Sequence, residues 1–374
     1  MGDRLPVRLV RVERAGRLAT VWVTAGSILA ALVACGVVLA ASGENPVDVY
    51  RAMLDGAVGD RYGLAETLVK ATPLLLTGLA VSVAFRAQLW NIGAEGQLYL
   101  GAIGATGVAL FLLPDTPGWV LIPAMMVGGV VGGAIWGAIP GLLRARLATN
   151  ETITTLMLNY VAIQLADWLV HGRWRDPAAF GFPGTERFPR AAWLPTYGAY
   201  RLHLGLLFGL AVAAILQVAI RRTRWGYELS VIGASPRVAA YAGMRTRRTI
   251  FLALTVSGAI AGLAGMSEVA GVGHQLQRNF SPGYGYTAII VAWLGRLNPL
   301  GIVLVSFLLA AMLVGGDQIQ MTMGLPAAVG PMLQGAILFC LLGGELLTRY
   351  RVVRRRPTAG EAAGEAAVQG ASVG

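Results

Sequence analysis

The sequence is poor in charge and almost empty of lysine. Asp, Glu, Lys and Arg make up 13% of its 374 residues, about half the usual share of a soluble domain, while 56% are hydrophobic. A soluble fold of this length could not cover its surface with so few charges, so most of that surface faces lipid. Lys70 is the single lysine among 30 basic residues, and it stands between Val69 and Ala71. A phosphate-binding loop needs Gly-Lys-Ser/Thr, so ATP hydrolysis through a Walker site of this chain is excluded. The two cysteines, Cys35 and Cys340, lie in distant apolar runs and offer neither a disulfide framework nor a zinc site. His171, His203 and His274 are isolated, so metal catalysis has no ligand set, and the expectation is no metal and no cofactor bound by this chain. No His/Asp or Ser/His cluster stands at a workable spacing, and the chain is not expected to be an enzyme.

What is present is a row of apolar runs near the 20 residues that cross a bilayer. They fall at roughly 20–41, 66–85, 95–113, 119–143, 153–170, 203–220, 250–270, 284–295, 299–316 and 326–347, the eighth being short for a full crossing. The fold class expected is an all-α polytopic membrane protein of about ten transmembrane helices, some short or discontinuous. The first run follows Arg4, Arg8, Arg11, Arg14 and Arg17, and its apolar core is too long for a signal peptide, so it reads as an uncleaved span. The net charge of +11 sits on arginines in short segments between the runs, which fits the positive-inside rule and not nucleic-acid binding. An N-terminus inside places about 21 arginines in the cytoplasm against about 8 outside, so both termini are expected to be cytoplasmic. Residues 1–19 then form a basic cytoplasmic N-terminus, 20–348 the transmembrane domain, and 349–374 a cytoplasmic, largely disordered tail. Within the domain, 171–202 is an extracytoplasmic loop and 221–248 a cytoplasmic one. The outer loop carries Trp174, Phe180, Phe182 and Trp193, and fits either a small structured cap or a solvated loop with interfacial aromatics.

Polar residues beside apolar runs need a reason, because a charge at the centre of a membrane helix costs about 2.5–3.5 kcal/mol. Trp90-Asn91-Ile92-Gly93-Ala94-Glu95-Gly96-Gln97 reads either as a polar cytoplasmic turn or as a broken helix reaching toward the midplane. Asn150 or Thr152 caps the next helix, with Glu151 favoured by its dipole, while Asn159 and Gln164 lie deeper and either bond between helices or line a path. The stretch from Glu268 through Gln277, Asn279, Phe280, Ser281, Pro282, Gly283 and Tyr284 precedes a half-length run, as a discontinuous helix would. Aromatic rings beside amides there suit a stacked, hydrogen-bonded ligand such as a nucleobase or sugar. On polarity, the substrate-path candidates are Asn91, Glu95, Gln97, Asn159, Phe280 and Tyr284. In the cytoplasmic loop, Ser235 caps a short helix with Pro236 at its first position and Gly243 at its end.

Four segments carry a resemblance: NIGAEGQLYLGA (91–102), NETITTLMLNY (150–160), VIGASPRVAAYAGM (231–244) and SPGYGYTAIIVAWLGRLNPLG (281–301). With them the chain resembles, over roughly 66–347, permease subunits of bacterial ABC importers in the branched-chain amino acid, ribose and nucleoside superfamily. The likeness is greatest to nucleoside or simple-sugar permeases. It implies a multi-pass subunit of the bacterial cytoplasmic membrane, embedded in lipid and paired with a second homologous permease. A cytoplasmic ABC ATPase, which uses the ATP, and an extracytoplasmic substrate-binding lipoprotein would complete the importer. Segment 231–244 would be the coupling helix, with Gly233, Ser235, Ala239, Ala240, Tyr241 and Gly243 matching the family pattern and Arg237 facing partner or lipid. The function implied is nucleoside import; the alternatives are a simple sugar such as ribose, or an ion-driven secondary transporter with Glu95 or Glu268 as coupling carboxylate.

Overall fold

A computed structural model describes residues 7–11, 17–178, 181–198, 200–326 and 328–354; most of the expected basic N-terminus, Phe180 of the outer loop and the tail after Pro357 lie outside the described residues. In chain order the helices are α1 (Arg17–Ala41), α2 (Pro46–Leu54), α3 (Arg61–Arg86), α4 (Ala94–Gly107), α5 (Gly118–Leu147), α6 (Glu151–His171) and α7 (Gly205–Arg222). There follow α8 (Arg224–Ala234), α9 (Pro236–Tyr241), α10 (Thr246–Glu268), α11 (Tyr284–Leu294), α12 (Pro299–Met323) and α13 (Val329–Arg349). Three helices continue into single π-helical turns, Asp55–Gly59 after α2, Val108–Leu112 after α4 and Val269–Gly273 after α10. A short antiparallel pair, β1 (Val7–Arg11) with β2 (Tyr350–Arg354), is the strand structure among the described residues.

The helices follow the apolar runs because a bilayer leaves the backbone no partner except its own carbonyls. Six are long and apolar enough to cross a membrane, namely α3, α5, α6, α7, α10 with its π turn, and α12; a seventh results if Ala25–Ala41 and Pro46–Gly59 form one bent span. The protein is therefore a multi-pass membrane protein. α11 is half-length, as its sequence implies, and α12 continues past residue 316 to Met323, carrying Asp317 inside the helix. The chain divides into two compact units, residues 47–331 and residues 1–46 with 332–374. In the smaller unit Cys35 and Cys340 are free thiols.

Within the larger unit α3 is the central element. Every residue from Ala71 to Phe85 is buried, and α7, α10, α11 and α12 pack around it. Lipid is as apolar as leucine, so the packing is driven by close contact more than by exclusion of water. Glycine faces provide that contact where α4, α5 and α10 meet. A Cβ at Gly258 would collide with the Gly133 carbonyl oxygen, and one at Gly262 with the Gly129 carbonyl oxygen. The glycine-rich run 129–141 is thus the seam between α5 and α10.

Candidate functional site

Past an exposed Trp90, the segment Asn91–Gln97 is a buried break, not a surface turn. The chain leaves α3, runs without regular structure through Asn91 and Ile92, and starts α4 at Ala94 inside the protein. Asn91, Glu95 and Gln97 are 0%, 2% and 1% exposed, so each polar atom must find its partner in protein. Asn91 Nδ2 donates to Gln97 Oε1 (3.0 Å) and to Ser257 Oγ of α10 (2.9 Å), and its Oδ1 accepts from Gly93 N (2.9 Å). The Ser257 hydroxyl in turn donates a hydrogen bond to Ala80 O of α3 at 2.6 Å. From α6, Asn159 Oδ1 accepts from Gly96 N (2.8 Å), and its Nδ2 donates to Ile92 O (2.9 Å) and the Tyr286 hydroxyl (3.3 Å). Five helices, α3, α4, α6, α10 and α11, are therefore tied by one amide network. Of the two amides foreseen in α6, Asn159 faces this network and Gln164 faces outward.

Glu95 stands where two helices begin. It lies in the first turn of α4, and its Oε2 accepts from Gly285 N, in the first turn of α11, at 2.6 Å. A buried carboxylate is tolerated at such a point because helix N-termini present unpaired N–H groups and a partial positive charge. Gly283, at φ +94°, turns the chain into α11, and Gly285 has no room for a Cβ against the Glu95 backbone. Beside this junction Phe280 is half-buried against Tyr99, with ring centroids 4.6 Å apart, and Tyr284 is buried. The structure thus brings Asn91, Glu95, Gln97 and Asn159 together, with Phe280 and Tyr284 alongside.

Helix α8 packs beside the C-terminal end of α3, and α9 packs on α8. Thr223 caps α8, and Ser235 Oγ caps α9 by accepting from Val238 N, with Pro236 at its first position. Gly243 follows at φ +72°, a conformation an L side chain rarely adopts. Gly233 is pressed on the Arg86 carbonyl, and Ala239 is fully buried. The outward surface is made by Arg237, Val238, Ala240 and Tyr241, the last 97% exposed. Val238 escaped the sequence reading because a valine carries no polar signal.

The described residues of loop 171–202 are folded against the protein. Its backbone bonds to the segment after α10, with Thr185 N to Leu276 O (2.9 Å), Phe188 N to His274 O (2.8 Å) and Leu194 N to Ala270 O (3.0 Å). Trp193 stacks on His274 at 3.8 Å, and Phe188 and Leu194 enter the core beside α4, α5 and α10. Burial pushes the His203 imidazole down to about 4, helped by nearby His274, which burial also lowers.

A second polar cluster was missed by the sequence reading. Arg201 of the cap pairs with Glu66 of α3 through two bonds, Nε to Oε1 (3.0 Å) and Nη2 to Oε2 (2.7 Å). One turn along α3, Lys70 pairs with Asp317 of α12. Glu268 closes α10 and is 9% exposed. The available signal was charge inside apolar runs, but ending the ninth run at 316 cut Asp317 off.

The family model for the permease component of the branched-chain amino acid transport system matches residues 63–342. The chain is 37% identical to a glucose ABC transporter permease protein of Haloferax volcanii, over 90% of this chain and 92% of that one. It is 32% identical to a guanosine ABC transporter permease protein of Bacillus subtilis (84% and 90%) and 30% identical to a nucleoside ABC transporter permease protein of Lactococcus lactis (81% and 85%). A second guanosine permease protein of B. subtilis is 24% identical over 63% of this chain and 75% of its own length.

Proposed function

The chain belongs to the permease components of the branched-chain amino acid transport system family, and from that premise we propose that it forms half of the translocation path of an ABC importer for nucleosides. The observation that carries this reading is the junction at Glu95, where two interrupted helices start inside the membrane domain within the matched region. Likeness to guanosine and nucleoside permeases supports the cargo. A simple sugar is the second reading, favoured by the 37% identity to a glucose permease.

In this reading Phe280 and Tyr284 face the solute path, and Asn91, Glu95, Gln97 and Asn159 hold the helices that wall it. The chain has no ATPase site of its own; a cytoplasmic ATPase binds ATP, a second permease completes the path, and an extracytoplasmic lipoprotein delivers solute. The B. subtilis pair of guanosine permeases supports the two-permease arrangement. Both termini are cytoplasmic, with about ten membrane segments counting the half-length ones. Arg86 lies beside Arg221 and donates to Leu297 O at 2.5 Å, which supports one basic end of the domain. Segment 221–248 lies at that cytoplasmic end, the cap 171–202 at the outer one. The exposed face of α9 seats in the ATPase, and ATP binding favours one of two permease states, which is all that coupling requires.

Uptake of radiolabelled uridine, adenosine, ribose and glucose, with and without this gene and with ATP depleted in parallel, tests the reading. ATP-dependent nucleoside uptake that disappears with the gene is expected. Uptake that survives ATP depletion but collapses with the proton gradient would instead mark an ion-driven transporter. Ala240→Trp adds bulk to the exposed face of α9 without touching its buried side. It should leave ATP hydrolysis running while uptake falls about tenfold, within the usual range of coupling energies; unchanged uptake removes α9 from the ATPase interface.

A further inference from the structure

Where the chain leaves α3 and where α11 ends, the two meet in a shallow aromatic recess. Phe85, Gln88, Leu89, Trp90, Trp293 and Leu297 line it. Phe85 is buried, Trp293 half-buried and Trp90 43% exposed. Ring centroids are 5.1 Å apart for Phe85 and Trp90, 6.0 Å for the two tryptophans and 6.2 Å for Phe85 and Trp293. The three rings thus form one packed platform, and the exposure of Trp90 leaves ring surface free.

Two features set this platform apart from interfacial tryptophans that only anchor a helix among headgroups. One is the backbone. Six non-glycine residues among the described ones have positive φ, and three of them are here: Gln88 (+56°), Arg296 (+53°) and Leu297 (+54°). Such a conformation costs energy, and it clusters where ligands are clamped. Arg86 Nη2 donates to Leu297 O at 2.5 Å, which fastens the end of α3 to the turn after α11, so the walls of the recess are held in place in advance. The other feature is a spare amide. Gln88 is exposed, and among the described residues its side chain makes no hydrogen bond, so a donor and an acceptor stand free beside the rings.

Helix α11 connects the recess to the buried junction. Tyr286 and Trp293, seven residues apart, share one face of the helix. The Tyr286 hydroxyl accepts from Asn159, and Trp293 stands eight residues, about 12 Å, beyond Gly285 and its bond to Glu95. An aromatic face with an amide at its edge suits a planar heterocycle, stacked on its π face and hydrogen-bonded along its rim. A lipid tail has no use for the amide, and a sugar ring would bring several hydroxyls to a single one. We propose that this recess is a stacking station for the base of the transported nucleoside, with Trp90 and Trp293 as its platform and Gln88 bonding the edge of the base. The assignment rests on the nucleoside reading above and makes these rings select base-bearing solutes over free sugars.

The test is a cycle between ring and base in cells carrying the complete transporter. Uptake efficiency of adenosine, uridine and ribose is measured through the wild type, Trp293→Leu, Trp293→Phe and Gln88→Ala, each normalised to the amount of chain in the membrane. Selection by a binding protein is common to all four chains and cancels in the ratios. Trp293→Leu should lower adenosine uptake about 5- to 100-fold, the range for one lost base–aromatic stack, uridine uptake less because its ring is smaller, and ribose uptake not at all. Trp293→Phe, which keeps a smaller ring, should fall between, and it gives the same order of solutes if the leucine variant does not reach the membrane. Gln88→Ala should lower both nucleosides by a smaller factor. Adenosine uptake unchanged in the Trp293 variants, or lost in equal measure with uridine and ribose, overturns the assignment and leaves the transport reading intact. A wild type that carries ribose but no nucleoside overturns the assignment and moves transport to its second cargo. A wild type that carries none of the three overturns both.

Discussion

The two polar clusters of the larger unit differ in how far their hydrogen bonds close on themselves. The four side chains of the amide network, Asn91, Gln97, Asn159 and Ser257, are buried, and their bonds run to one another, to backbone and to the Tyr286 hydroxyl. Among the described residues, the buried side-chain atoms left without a partner are Arg86 Nε, Thr149 Oγ1, Asp167 Oδ1 and His203 Nε2, none of them in that network. Toward the start of α3, about 20 Å from Ala80 along the helix axis, the ion cluster is partly open. Arg201 and Asp317 are 60% and 46% exposed at the side chain. A closed network fixes helices, whereas partly exposed ion pairs hold them only weakly.

Substitutions sharpen that contrast, the largest effect first. Asn159→Leu strands Gly96 N and Ile92 O in an apolar interior, and should cost about 2–4 kcal/mol, read as a lower melting temperature of purified protein together with lost uptake. If this variant melts like the wild type, the network is not what ties α4 to α6. Acid should act next, on the cap. His203 is held neutral with its imidazole at about 4 against an ordinary 6.5. Its folded value is depressed, so the stability is present above pH 6.5 and is lost as pH falls from there toward 4, by up to about 3 kcal/mol. Proteolysis of the cap followed across that window should accelerate in the wild type and much less in His203→Gln; parallel curves would mean that another group drives the opening. The smallest effect belongs to the Lys70–Asp317 pair. Both partners are partly exposed, so a double-mutant cycle with Lys70→Met and Asp317→Asn should give no more than about 1 kcal/mol of coupling in thermal melts. A much larger value would make the outer cluster a structural lock and erase the distinction between the two regions.

Much of the secondary structure was legible in the chain. Asn150 caps α6 through Thr152 N at 3.0 Å, Ser235 and Pro236 open α9, and Gly243 takes the left-handed turn after it. Each of these depends on residues a few positions apart. The site was legible only as a set of candidates. Asn91 to Gln97 has the composition of a surface turn, and its polarity left open whether water or protein would satisfy it. Thr155, Asn159, Ser257 and Gly285 decide the matter, arriving from 63 to 190 positions away.

The amino-acid sequence by itself determined the solvent, most of the apolar helices and the caps of α6 and α9, because bilayer thickness and backbone hydrogen bonding act over a few turns of chain. Only the tertiary structure decided which polar groups are partnered. Whether Asn159 bonds between helices or lines a path depends on what other helices bring to it, and a buried polar group is silent about its partners until the chain has packed.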